Sequence, residues 1–317
     1  MPERTASLPA SASRPGGLDP GVLALSWADG AALLTVFSWG ISFPLTKVLM
    51  TLADPLAVAA LRAALAALLL VVLLARSSGA RVPARQDLGR AVLAGLIGVT
   101  ANGSLYNAGL HLTTATHTGL IYTLTPLFVF GLSYLLGQMR VVRRDLLGLA
   151  LGVVGAALIV GAPALAGGDT GGATLVGDLL IVGAMITFGL WSFLAEPLIR
   201  RYGALATTAW VNVVGAIGLL PLGLPALATQ DWHVLGPGAA AGLLYIGLVV
   251  AGASTLFWYW AVGRIGPART IIYANLESFF AVLAAAIALG ERVELTAILG
   301  GVAVIAGVLL TRGRADG

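Results

Sequence analysis

Long apolar runs, broken by short polar interruptions, dominate this chain. They fall near residues 30–50, 55–75, 88–110, 114–136, 145–162, 176–196, 204–222, 238–262, 268–289 and 295–312, each about as long as a helix needs to cross hydrocarbon. The alternation of apolar and polar positions that marks barrel strands is absent. A helix satisfies its own backbone in lipid, so the pattern predicts an all-α polytopic membrane protein with ten transmembrane helices.

Composition agrees. Of 317 residues, 58% are hydrophobic and 10% charged, against about 25% charged in soluble domains, and mean hydropathy is +0.95. Basic residues are scattered singly rather than clustered on one face, which argues against nucleic acid despite the net charge of +4. Cysteine is absent, which removes disulfides and thiol chemistry. His111, His117 and His233 are too dispersed for a compact metal site. No Walker A, HExxH or GxSxG motif appears, so neither cofactor nor catalytic residue is expected. An intramembrane enzyme assembled from separate helices, or a sensor, stays open as an alternative.

Loop charge sets orientation. Counting loops alternately, one side collects Arg4, Arg14, Arg76, Arg81, Arg85, Arg90, Arg140, Arg143, Arg144, Arg200, Arg201, Arg264, Arg269, Arg312 and Arg314, and the other collects Arg292 alone. The positive-inside rule places both termini in the cytoplasm. Residues 1–28, rich in Pro, Ser, Ala and Gly, read as a disordered cytoplasmic tail, and 313–317 as a second one.

The chain also repeats itself. "SWG" at Ser38–Gly40 returns as "TFG" at Thr187–Gly189, Tyr106–Ala115 matches Tyr259–Ala268, and a Gly-rich run ending at Gly155 matches one ending at Gly307. Residues 29–163 and 176–312 are thus two copies of a five-helix unit, joined by an external linker at 164–175. Five is odd, so the second copy enters from the opposite face, the inverted repeat of alternating-access carriers.

These marks, with "LTP" at Leu124–Pro126, "LES" at Leu276–Ser278 and "LGER" at 289–292, resemble the EamA-like branch of the drug/metabolite transporter superfamily over about residues 30–312. Ser278 stands where that family often has proline. The resemblance implies a ten-helix carrier in a bacterial inner membrane, exporting amino acids, including aromatic or other neutral ones, or related metabolites. Hydrophobic cations and drugs are the alternative cargo, and protons a candidate coupling ion.

Ionisable groups at membrane depth are expensive and are functional candidates by default. Glu277 lies at mid-span and shares a face with Thr270, Tyr273 and Phe280. It could hold an ammonium group or a proton, or stay a structural acid. Arg62 could bind a carboxylate, pair with an acid or snorkel. In the first span Thr35, Trp39, Ser42 and Thr46 form one stripe, and Lys47 follows near the outer end. Aligned through "SWG" and "TFG", the counterpart of Lys47 is Glu196. Each could belong to a gate at its own mouth or simply anchor at the interface. Trp39, Ser42, Tyr106, Tyr122, Trp191, Trp258, Tyr273 and Asn275 complete the candidate substrate site, and Asn102, Asn107 and Asn212 add hydrogen-bonding capacity.

Overall fold

The computed structural model describes residues 26–77, 82–135, 143–158, 174–265, 267–291 and 293–312, and among them the chain is helical without strands. The elements are α1 (Trp27–Leu49), α2 (Pro55–Arg76), α3 (Arg85–Leu112), α4 (Ala115–Tyr122), α5 (Thr125–Leu135), α6 (Arg143–Ala156), α7 (Leu175–Tyr202) and α8 (Ala204–Thr229), followed by α9, α10 (Pro267–Leu289) and α11 (Leu295–Arg312). The rod α9 comprises Pro237–Leu244, a π-helical Tyr245–Ser254 and Thr255–Ile265. Six of these helices are long and apolar enough to cross a membrane: α1, α2, α3, α7, α8 and α9. Large apolar side chains face outward, Leu68, Val153 and Ile287 among them, as lipid contact requires.

Local chemistry fixes the helix starts. Ser26 and Asp29 make a reciprocal capping box at α1, with Ser26 N donating to Asp29 Oδ2 at 2.8 Å. Asp54 caps α2 ahead of Pro55, Thr114 caps α4 and Thr174 caps α7. Glu291 reaches across to accept from the first amides of α4, Ala115 N at 3.0 Å and Thr116 N at 2.8 Å. Gly203, at φ 84°, lets the chain turn from α7 straight into α8.

The fourth apolar run is interrupted. Pro126 cannot donate to the carbonyl of Tyr122, and the Thr125 hydroxyl donates to it at 2.8 Å instead, so α4 and α5 part at Thr123–Leu124. With Ser278 at the corresponding place, α10 runs through unbroken.

Packing follows the repeat. The most extensive pairings are α2 with α8, α6 with α11, α1 with α10 and α3 with α7. A β-carbon on Gly155 of α6 would lie 2.6 Å from the Gly300 carbonyl oxygen of α11, and one on Gly307 would meet the carbonyl of Gly148. The contact is the same in both directions, so the small residues allow close helix approach twice over. Both α3 and α9 carry a π-helical segment, Leu96–Ala101 and Tyr245–Ser254, just before the matched tyrosines Tyr106 and Tyr259.

Candidate functional site

A cavity of about 130 Å³, with room for about four waters, lies among α1, α2, α3, α4, α7, α8, α9 and α10. Both copies of the repeat supply its wall. Trp39 and Phe43 come from α1, Tyr106 from α3 and Tyr122 from α4, while Phe188 and Trp191 come from α7. The rings form a continuous chain, with centroids 6.2 Å apart for Trp39–Phe188, 6.4 Å for Phe188–Tyr122 and 5.7 Å for both Tyr122–Phe43 and Phe43–Tyr106. Such spacings suit edge and tilted ring contacts, which hold the wall in shape.

The π-helical segments help position it. Thr35 donates to the Ser254 carbonyl at 3.1 Å, Trp39 Nε1 to the Val250 carbonyl at 3.2 Å, and the Ser38 hydroxyl lies 2.9 Å from that of Tyr245. The polar stripe of α1 therefore anchors it to α9, and the indole N–H of Trp39 is committed while its ring remains available to the cavity. In the other half, Thr100 donates to the Gly215 carbonyl at 3.0 Å, and Asn102 to the Ala184 carbonyl at 2.7 Å and to the Thr187 hydroxyl at 3.3 Å. Local π-helical register of this kind recurs at functional sites.

Two opposite charges face the same space. Glu277, 8% exposed, enters from α10 and Arg62 from α2. The Arg62 guanidinium lies 5.3 Å from the centroid of the Tyr106 ring. Neither has an ion-pair or hydrogen-bond partner among the described residues. Asn107 Oδ1 and Trp191 Nε1 are likewise buried without a partner, and both residues line the cavity. Buried polar groups are ordinarily satisfied, so their concentration around one void marks it as a place built to receive polar atoms.

The other predicted residues stand elsewhere. Ser42 is buried and donates to the Trp39 carbonyl at 2.6 Å, outside the cavity wall. Trp258 backs the wall, its ring 5.3 Å from that of Trp39. Tyr273 donates its hydroxyl to Asp29 Oδ1 at 2.8 Å. The side chain of Asn275 lies outside the described residues. Lys47 does not line the cavity; its ammonium donates to the last carbonyls of α3, Leu110 at 2.8 Å, His111 at 3.0 Å and Thr113. Glu196 is exposed and pairs at 2.8 Å with Arg200 on its own helix.

Phe43, Phe188 and Thr255 join the lining without having been singled out. A signal existed for two of them: Phe43 follows Trp39 by four residues and Phe188 precedes Trp191 by three, so each shares a helical face with a cavity aromatic.

Comparison with known proteins bears on what the cavity serves. The model of the EamA-like transporter family matches residues 26–161 and again residues 175–313. A "probable terminal-alkyne amino-acid exporter" of Streptantibioticus cattleyicolor is 31% identical over 297 residues, covering 92% of this chain and 96% of that protein. An uncharacterised transporter of Archaeoglobus fulgidus is 26% identical, covering 88% and 94%. A crystal structure 14% identical superposes with a TM-score of 0.61 over 90% of this chain and 96% of its own, a likeness of fold alone.

Proposed function

The chain belongs to the EamA-like transporter family, a multi-pass membrane protein, and we propose that it exports amino acids, including aromatic or other neutral ones, from the cytoplasm by alternating access. The observation that carries this reading is the cavity walled by both copies of the repeat, with ring faces, amides and two charges turned inward. In an inverted repeat such a site sits where either copy can open it to its own side. Two supports stand beside it. The family model matches the chain twice, in halves that agree with two five-span units once α4 and α5 are counted as one span. The relative from Streptantibioticus is named as an amino-acid exporter. The arginines gather at the ends of α2 and α7 and the start of α3, where Arg201 pairs with Asp87 at 2.9 Å. That end is the cytoplasmic one in the proposed orientation, and the membrane is a bacterial inner membrane.

The test is counterflow in proteoliposomes loaded with unlabelled phenylalanine, tryptophan, methionine, threonine, a terminal-alkyne amino acid or a hydrophobic phosphonium cation, with and without a pH gradient. Saturable exchange of an amino acid is expected. Exchange of the phosphonium alone moves the protein to the drug-exporting class, and a pH gradient that drives uptake adds proton coupling. Folded protein that exchanges no compound at all ends the amino-acid reading.

A further inference from the structure

The cavity holds one basic and one acidic side chain that do not pair with each other. Burying either charge costs several kcal/mol unless a partner repays it, and two opposite charges in one small void would ordinarily collapse into a pair. Arg62 and Glu277 have not done so: they enter from α2 and α10, and no ion pair joins them among the described residues. Arg62 rests on the Tyr106 face with its donors unspent, and Glu277 is more than nine-tenths buried with no donor supplied by the protein. The missing partners are a carboxylate for the fork of Arg62 and a multiple donor for Glu277.

We propose that the cavity is a zwitterion clamp, in which Arg62 takes the α-carboxylate and Glu277 the α-ammonium of a free amino acid. This deepens the amino-acid reading above and rests on it. The two charged ends of such a ligand lie a few bonds apart on one carbon, so it can join groups that do not reach each other. The slim apolar remainder then lies against Phe43, Tyr122 and Phe188, and Asn107 Oδ1 stands as a further acceptor for the ammonium. The clamp selects by cost as well as by contact. A ligand lacking either charged end leaves a buried charge unpaired, which discriminates far more sharply than a missing methylene does.

The test uses wild-type protein first, so that no variant need fold. Counterflow against labelled L-phenylalanine is competed with L-phenylalanine, its methyl ester, its N-acetyl derivative and phenethylamine. The clamp predicts that each derivative competes at least tenfold less well than the parent. In Arg62→Gln the ester and the parent become equal within about threefold while the N-acetyl compound remains excluded, and Glu277→Gln shows the converse. Ligand-induced shifts of the unfolding temperature in detergent provide the same ranking without transport. Equal competition by parent and derivatives, with phenylalanine exchanged, overturns the clamp and leaves the carrier standing. Absence of both exchange and thermal shift for every amino acid overturns both together.

Discussion

Asp29 and Asp178 occupy the same place in the two copies, one in the first turn of α1 and one in the first turn of α7, separated by the interval that also separates Gly40 from Gly189. They lie at opposite ends of the bundle, and each reaches a helix of the other copy. Asp29 accepts from Tyr273 of α10 at 2.8 Å, together with the Ser26 hydroxyl at 2.6 Å. Asp178 lies 3.0 Å from His117 Nδ1 on α4 and also accepts from the Thr113 hydroxyl. Around Asp178, Lys47 holds the carbonyl end of α3 and Glu291 the amide end of α4. The repeat has thus kept an acid as the bolt between copies and changed what the bolt engages. A duplicated fold can diverge at its two mouths without altering its frame.

The largest expected effect comes from removing the bolt that meets an imidazole. Asp178→Ala leaves the buried His117 ring and Thr113 hydroxyl without their acceptor, a loss of about 2–6 kcal/mol at about 1–3 kcal/mol for each buried group left unsatisfied. Asp29→Ala removes an acceptor from two hydroxyls and from the Ser26 amide of the capping box, and costs about 1–3 kcal/mol. Unfolding of the detergent-solubilised variants measures both. A larger loss at Asp29 reverses the comparison.

The next pair tests the glycines that the repeat marks share. A β-carbon on Gly40 would lie 2.6 Å from Phe280 Cβ and 2.7 Å from the Glu277 carbonyl oxygen, so Gly40→Ala pushes directly on the backbone of α10. At Gly189 the nearest atoms, at 2.5 and 2.7 Å, belong to the Phe128 ring, a side chain that can swing away. Gly40→Ala should cost about 1–3 kcal/mol and displace Glu277 from the cavity, lowering exchange. Gly189→Ala should cost less than half as much and leave exchange nearly intact.

The legible and illegible parts of this molecule divide along physical lines. Apolar run length pointed to membrane-crossing helices, because hydrocarbon thickness dictates it, and six helices among the described residues are long and apolar enough; marks such as Gly155 and Gly307 fall where close helix contact requires small residues, in a chain that the family model matches twice. Trp39, Tyr106, Tyr122, Trp191 and Glu277 were singled out because polarity is out of place in lipid, and they line the cavity; Arg62, read as a gate or charge-pair candidate, lines it too. Phe43 and Phe188 escaped because phenylalanine in an apolar run carries no such contrast. Ser42, Trp258 and Tyr273 were plausible by type, yet a helix face spans both the cavity and its neighbours, and only packing decides which side a residue serves. The π-helical segments, which aim Trp39 and Asn102, leave no mark in residue type at all.

The smallest effects separate Lys47 from its counterpart Glu196. Lys47 spends its ammonium on carbonyls at the end of α3, a cation on the negative end of a helix dipole, joining α1 to α3 on the face proposed as outer. Lys47→Met should cost about 1–2 kcal/mol and, if the α1–α3 contact is a gate, change the exchange rate at that face. Glu196 is exposed and its described partner is one turn away on the same helix, so Glu196→Ala should stay within about 0.5 kcal/mol and leave exchange unaltered. Rates measured in both directions across oriented proteoliposomes decide the matter. A slowed Lys47→Met beside a normal Glu196→Ala assigns gating to one mouth. Two normal variants reduce both residues to anchors of their helices, and a slowed Glu196→Ala would show that the inner mouth uses a contact formed in another state of the cycle.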